Sequence, residues 1–313
     1  MSLPKRSQQK SHHAEASGSG SLLAIVGPTA SGKSGLAHRI ALATGADILC
    51  ADSRTIYRGM DIGTAKPTVY EQSEIRYYGL DLVAPDERYS AADFVSYAKQ
   101  VMREVQNRNK PLILVGGSGM YIDALLFDYS FRQNLHCDAG VVANLGTDEL
   151  LAQARALYPQ EIIGFDVKNT RRLRELLVRG PASTADRAEL KYDVKILGIT
   201  VDAEGLQGRI IIRTKEMLNQ GFVQEVESLL RAYSATSPGL KSTGYSQVVS
   251  WLEEGGHDMA ALESDISMAT RRLAKKQRTW FGRNAHIAWD DDMSRLESAG
   301  IGYLHGFKGT MSA

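Results

Sequence analysis

Gly27-Pro28-Thr29-Ala30-Ser31-Gly32-Lys33-Ser34 is the stretch of this 313-residue chain whose residue types and spacing point most directly to chemistry. Glycines let the backbone curl until successive N–H groups face one phosphate group. Lys33 adds a mobile positive charge, and the Ser34 hydroxyl is a natural ligand for Mg²⁺. The spacing indicates a polyphosphate or diphosphate and does not specify ATP. Asp52 has the type and place of a general base, or of an ordinary Asp-Ser turn residue. Arg209 and Arg213 lie four residues apart on one helical face. They suit a bidentate clamp on phosphate oxygens, or the polar side of a surface helix.

Such groups need a frame to hold them. Leu22–Val26 is a short apolar run ending at glycine, the pattern of a buried strand, and helical spacing of Leu36, Ala37, Ile40 and Ala41 follows the glycine turn. Residues 46–51 and 111–115 read as further buried strands, and the second of these ends at Gly116-Gly117-Ser118-Gly119. Ser90 and Asp93 have capping-box spacing for a helix running to about Asn107. Strands alternating with helices predict a parallel α/β sheet with helices on both faces. In such a sheet both Asp52 and the Gly116–Gly119 turn follow a strand's carboxyl end, where open parallel sheets place their ligands. The glycine turn also reads simply as a tight strand-to-helix connection.

From 127 to 191 the pattern becomes helical, with helices expected at 148–158 and 170–178, before a strand-like run at 194–201 resumes the sheet. The expected organisation is therefore a P-loop NTPase-like core at 21–126 and 192–290, interrupted by a small helical insertion at 127–191. The C-terminal part of the core reads as helical, at 206–219, 222–233, 245–254 and 266–282. The first 20 residues are polar and read as a disordered tail rather than a secretory signal.

Formal net charge is only +1, so attraction for nucleic acid must come from local clusters. Two exist. Lys168, Arg171, Arg172, Arg174 and Arg179 face a single acid, Glu175; Arg271, Arg272, Lys275, Lys276, Arg278 and Arg283 face none. Either suits phosphate neutralisation, and either suits a solvated helix face; Trp280 and Phe281 beside the second suit base stacking or core packing. Two cysteines, Cys50 and Cys137, argue against a disulfide framework, and no apolar stretch is long enough to span a bilayer. A cytoplasmic protein is expected.

Asp52-Ser-Arg-Thr-Ile-Tyr-Arg-Gly-Met-Asp-Ile-Gly-Thr-Ala-Lys-Pro67 closely resembles the signature of the tRNA dimethylallyltransferases, the tRNA isopentenyltransferase family. Gly116-Gly-Ser-Gly-Met-Tyr121, the Leu206–Gly221 helix, Gly244-Tyr245 and Thr270–Trp280 add matches in the same order. The resemblance implies a core that holds dimethylallyl diphosphate, an insertion that grips the tRNA anticodon stem-loop, and a flipped adenine presented from the opposite side. By resemblance Asp52 is the general base, and Ser118 stands where the family usually has threonine, keeping a catalytic hydroxyl near the target base. The implied diphosphate site is Gly27, Thr29, Ala30, Ser31, Gly32, Lys33 and Ser34 with Arg209 and Arg213. Mg²⁺ is the implied cofactor, on Ser34. Implied tRNA contacts are Asp52, Ser53, Arg54, Thr55, Ser118, Arg171, Arg172, Arg174, Lys275 and Lys276. A monomer with no membrane partner is expected.

Four residues depart from the family pattern where contact with RNA or its target base is expected. They are Glu175 and Val142 at positions where arginine is common, Thr55 for glutamine, and Ser246 for arginine. They keep open a prenyltransferase for free adenine nucleotides. A small-molecule kinase using the same loop and an RNA-binding module with a vestigial site also stay open.

Overall fold

The computed structural model describes residues 22–127, 129, 137, 139–163, 165–179 and 189–306; the expected tail at 1–20 lies outside them. In chain order, β1 (Leu22–Val26) leads through the glycine turn into α1 (Lys33–Thr44) and β2 (Asp47–Cys50). A short α2 (Val69–Glu74), a two-residue β3 (Tyr77–Tyr78) and α3 (Ala91–Asn107) precede β4 (Leu112–Gly116) and α4 (Gly119–Leu126). Helices α5 (Ala139–Ala143), α6 (Thr147–Leu157) and α7 (Thr170–Arg179) follow, and then β5 (Val194–Ile199). The remainder is α8 (Ala203–Asn219), α9 (Phe222–Ala232), α10 (Tyr245–Glu253), α11 (Met259–Phe281), β6 (Ile287–Asp290) and α12 (Met293–His305).

All pairings between these strands are parallel, in the order β3-β2-β4-β1-β5-β6. β1, β2 and β4 are buried along their whole length, which is why they read as unbroken apolar runs rather than alternating ones. One face of the sheet packs on α3 and α4, with Phe281 of α11 joining that core. The other packs on α1, α8 and α12. The chain leaves β1 for β2, yet β4 lies between them and β5 lies on the other side of β1. That reversal of direction opens a crevice at the carboxyl ends of β1 and β4, where the glycine turn sits.

The capping box forms as expected: Asp93 N–H donates to Ser90 Oγ (3.3 Å), and Ser90 N–H donates to Asp93 Oδ2 (2.8 Å). The expected end of the core at 290 falls short. α12 packs on α1, and Gly300 permits the approach, because a Cβ there would lie 2.7 Å from Ile40 Cδ1. β6 also escapes the pattern reading. It is four residues long, and Ala288 and Trp289 are exposed, so it carries no apolar run.

Helices α5, α6 and α7 enclose a small core of their own, built from Val142, Leu150, Ala154, Leu173, Leu176 and Leu177. Val142 is 1% exposed. The expectation that this position faces RNA is therefore corrected: its methyl groups fill the centre of the insertion, and an arginine there would bury a charge. A further core joins Ile56, Tyr57 and Met60, from the segment after β2, to Phe222, Val226, Tyr245, Val248 and Ile266. Glu225 fixes the same segment from α9 by accepting the N–H groups of Asp61 (2.9 Å), Ile62 (2.7 Å) and Gly63 (3.2 Å). The loop that follows Asp52 is thus held at both ends.

Candidate active site

The phosphate loop owes its shape to two left-handed residues, Ala30 at φ 63° and Gly32 at φ 91°. Gly32 adopts this freely, whereas the Cβ of Ala30 costs roughly 1–2 kcal/mol, a strain the folded loop absorbs. Two loop N–H groups are committed within the protein: Ser31 N–H donates to Pro28 O (3.2 Å), and Thr29 N–H to Gln277 Oε1 (2.8 Å). These two amides hold the shape of the loop, and Thr29 still lines the cavity. The donors that remain are at the start of α1, where Lys33, Ser34 and Gly35 have no carbonyl a turn earlier to bond. Aligned peptide dipoles make that end an anion site.

Lys33 is buried, and its ammonium donates to Pro28 O (3.3 Å). Loss of hydration pulls its pKa from the ordinary 10.5 down to about 8; the nearby Asp52 carboxylate opposes the shift and the Arg213 guanidinium adds to it. Binding an anion requires the charged form. Affinity for inorganic pyrophosphate should therefore be steady in mildly acid solution and fall as pH rises through about 8, approaching tenfold per pH unit. Calorimetry across that range tests it, and Lys33→Met should bind pyrophosphate weakly throughout.

Across the crevice, Asp52 Oδ1 accepts the N–H of Arg54 (2.9 Å). Among the described residues nothing hydrogen-bonds its second carboxylate oxygen. Ser118 Oγ accepts the N–H of Ser53 (2.9 Å) and donates to Ser53 Oγ (3.1 Å), tying the end of β4 to the end of β2. Arg54 reaches over to donate to Ser242 Oγ. Thr55 is buried, and its hydroxyl is turned to the carbonyls of Asp52 (3.4 Å) and Gly79 (3.3 Å). As a hydroxyl donor it braces the loop, and the residue also borders the cavity.

One cavity of about 920 Å³ collects these groups: Thr29, Ala30, Gly32, Lys33 and Ser34 of the phosphate loop, together with Asp52, Ser53, Arg54, Thr55 and Ser118. Arg213 enters from α8. Burial lowers its pKa and Asp52 counters that, so the guanidinium sits within the electrostatic reach of the carboxylate. Ile210, Met217, Ile266 and Leu273 supply an apolar wall, and Cys50 lies at the floor, its thiol pushed up to about 12 chiefly by burial. Gly27 and Ser31 are not part of the lining. Ser31 is fully buried, and a Cβ on Gly27 would press to 2.9 Å of Ser31 Oγ, so both shape the loop from behind. Arg209 is exposed and donates to Ser31 O (3.3 Å), so it supports the loop from outside the cavity.

The basic residues of the insertion and of α11 expected to meet tRNA, Arg171, Arg172, Arg174, Lys275 and Lys276, do not line the cavity. Arg171 and Arg172 are exposed; Arg171 pairs with Glu175 (3.4 Å), and Arg172 lies 5.3 Å over the Phe165 ring. Arg174 is half-buried and donates to Leu145 O (3.3 Å). Lys275 and Lys276 are exposed on α11. The α11 aromatics are not free to stack. Phe281 is 1% exposed, and the Trp280 indole N–H donates to Asp123 Oδ2 (2.8 Å). Gln277 is the site residue that motif reading passes over. It lies within the Thr270–Trp280 motif, but a lone polar residue among lysines and arginines carries no signal of its own.

A parallel sheet whose first strand runs through a strained glycine loop into an N-terminal helical anion site defines a P-loop α/β protein. The Asp52 carboxylate, just beyond the end of β2, lines the same cavity. Residues 55–284 match the family model described as IPP transferase, and the chain belongs to that family. The match begins after the phosphate loop. A tRNA dimethylallyltransferase of Bifidobacterium longum subsp. infantis is 37% identical over 286 residues, covering 86% of this chain and 85% of that protein. One from Synechococcus elongatus is 35% identical, covering 89% and 93%. The crystal structure of a full-length tRNA isopentenylpyrophosphate transferase from Bacillus halodurans superimposes with a TM-score of 0.70 at 26% identity, covering 92% of this chain and 97% of that one.

Proposed function

We propose that this chain transfers a dimethylallyl group from dimethylallyl diphosphate to N6 of the adenosine immediately 3′ of the anticodon in tRNA, releasing diphosphate. The observation that carries this reading is the single cavity lined by both the anion cradle and the Asp52 carboxylate, in a chain 37% identical to tRNA dimethylallyltransferases.

In this reading the α1 N–H groups, Lys33 and Arg213 hold the diphosphate and stabilise the charge that gathers on it as the allylic C–O bond breaks. The adenine amine is a weak nucleophile, because its lone pair is delocalised into the ring. Asp52 takes the N6 proton as the N6–carbon bond forms, and its free oxygen orients the amine beforehand. Ser118 and Ser53 fix the backbone on which Asp52 stands. The residues present suit Mg²⁺ of the kind that keeps several waters and takes most of its oxygens from the substrate. Among the described residues no cluster of three His, Cys, Asp or Glu forms a protein cage, while Ser34 is exposed at the cavity beside the helix donors. Mg²⁺ bound there would neutralise leaving-group charge.

The exposed Arg171, Arg172, Lys275 and Lys276 stand clear of the small-molecule cavity and suit a large polyanion, the tRNA stem-loop. No helix among the described residues is long and apolar enough to cross a membrane. A monomer, with the insertion as its RNA grip, completes the proposal. The test is incubation with labelled dimethylallyl diphosphate and either unmodified tRNA or AMP. Label should enter tRNA and not AMP, and the tRNA rate should fall steeply with added salt. Equal labelling of AMP would instead mark a free-nucleotide prenyltransferase.

A further inference from the structure

Gln277, on α11, commits both ends of its side-chain amide to the two loops that frame the cavity. Its Oε1 accepts the Thr29 N–H of the phosphate loop (2.8 Å), and its Nε2 donates to Gly117 O (3.0 Å) in the turn that carries Ser118. The partners fix which way the amide points, since a backbone N–H can only donate and a carbonyl can only accept. Thr29 and Gly117 follow different strands, β1 and β4, whose ladder ends at the pair Val26 and Gly116. Beyond the last strand residue, the spacing of the two loops depends on what bridges them.

Two contacts make α11 a rigid gauge for that spacing. Gly117 must lack a side chain, because a Cβ there would lie 2.4 Å from Gln277 Nε2. One helical turn on, Trp280 lies over Gly119, where a Cβ would meet Trp280 Cδ1 at 2.1 Å, and the indole is pinned to Asp123. The helix is anchored on either side of Gln277 by Ala274 and Phe281, both 1% exposed. The amide is therefore presented from a fixed support to two backbone groups, one from each side of the reaction.

We propose that Gln277 is a positioning residue that sets the distance between the diphosphate cradle and the Ser118–Ser53–Asp52 side, and so between prenyl donor and adenine acceptor. The inference rests on the transfer reaction proposed above. It assigns Gln277 no contact with substrate; it acts through Thr29 and Gly117. Because reacting atoms must be aligned within a fraction of an ångström, loss of the bridge should lower the chemical step more than binding.

The experiment compares full-length wild type with Gln277→Ala and Gln277→Glu, measuring single-turnover transfer to tRNA and, separately, affinity for inorganic pyrophosphate. Gln277→Ala should slow transfer by about 10–100-fold while pyrophosphate affinity stays within about threefold. In Gln277→Glu a carboxylate keeps the Thr29 bond but meets the Gly117 carbonyl with a second acceptor, and only the protonated acid restores both bonds. The ratio of its rate to wild type should climb several-fold as pH falls from about 8 to about 5.5, a response that a merely structural role would not produce. Gly117→Ala, which displaces the amide, should give the same rate loss, and combining it with Gln277→Ala should add little. A Gln277→Ala rate within threefold of wild type overturns the proposal. So does a parallel fall in pyrophosphate affinity, or a flat pH ratio for Gln277→Glu. Failure of the wild type to label tRNA would sink the transfer reading itself, and is seen before any variant is compared.

Discussion

Asp52→Asn should lower single-turnover transfer to tRNA by about 10²–10⁴-fold and leave the fold essentially unchanged. The asparagine carbonyl can still accept the Arg54 N–H, so the turn after β2 is preserved, but the group can no longer take a proton. Asp52→Ala should show the same loss of rate together with a drop in stability of about 1 kcal/mol, the usual cost of losing a side-chain cap on a turn. The pair of variants thus separates the two readings that Asp-Ser invites. If Asp52 is only a turn residue, Asn will be near wild type in rate and Ala will be the damaged one. Pyrophosphate should still bind to both, although its pH profile will move. The Asp52 carboxylate holds the Lys33 ammonium up against desolvation, so removing its charge should shift the break in affinity below about 8. An Asn variant that keeps more than a tenth of the wild-type rate would end the assignment of Asp52 as base.

That Asp52 and Lys33 are visible in the sequence, and Gln277 is not, follows from what a sequence records. Contiguous motifs reflect local backbone demands. The loop from Gly27 to Ser34 needs its glycines wherever it occurs, and β1 and β4 are buried on both faces, so each shows as a run of apolar residues. The Ser90–Asp93 box is equally local. A bridge between Thr29, Gly117 and Gln277 spans 248 and 160 positions, and nothing about a glutamine next to two lysines announces it. Buried positions mislead for the same reason. Val142 matches an RNA-facing position by resemblance, yet three short helices close around it. Thr55 reads as a contact because its neighbours do, while its side chain turns inward. β6 and α12 are invisible to pattern. One is a four-residue edge strand with two exposed residues, and the other carries Gly300 in its interior for the sake of close packing on α1.

Lys33→Met should produce opposite effects on stability and on function. Without ligand, the wild-type ammonium sits buried within the field of Arg213, and its pKa of about 8 in place of 10.5 records that the fold disfavours its charge. A shift of that size corresponds to a few kcal/mol lost to the folded state at neutral pH. The penalty is fully present below about pH 8 and fades between 8 and 10.5, where the unfolded chain still holds the proton and the folded one has released it. Methionine keeps the length of the side chain and removes the charge, so unliganded Lys33→Met should melt higher than wild type at about pH 7, with the gap narrowing above about pH 8. Its response to pyrophosphate should be nearly absent, because the charge that was costly in the empty site is the one that meets the diphosphate. Transfer should fall by at least about 10²-fold, as the leaving group loses a donor placed where its charge develops. Lys33→Arg should not rescue it: the planar fork is wider than an ammonium, and the Lys33 side chain is itself tightly buried. A Lys33→Met protein that melts lower than wild type without ligand and still gains stability from pyrophosphate would show that the lysine braces the loop and leaves phosphate binding to the helix N–H groups alone.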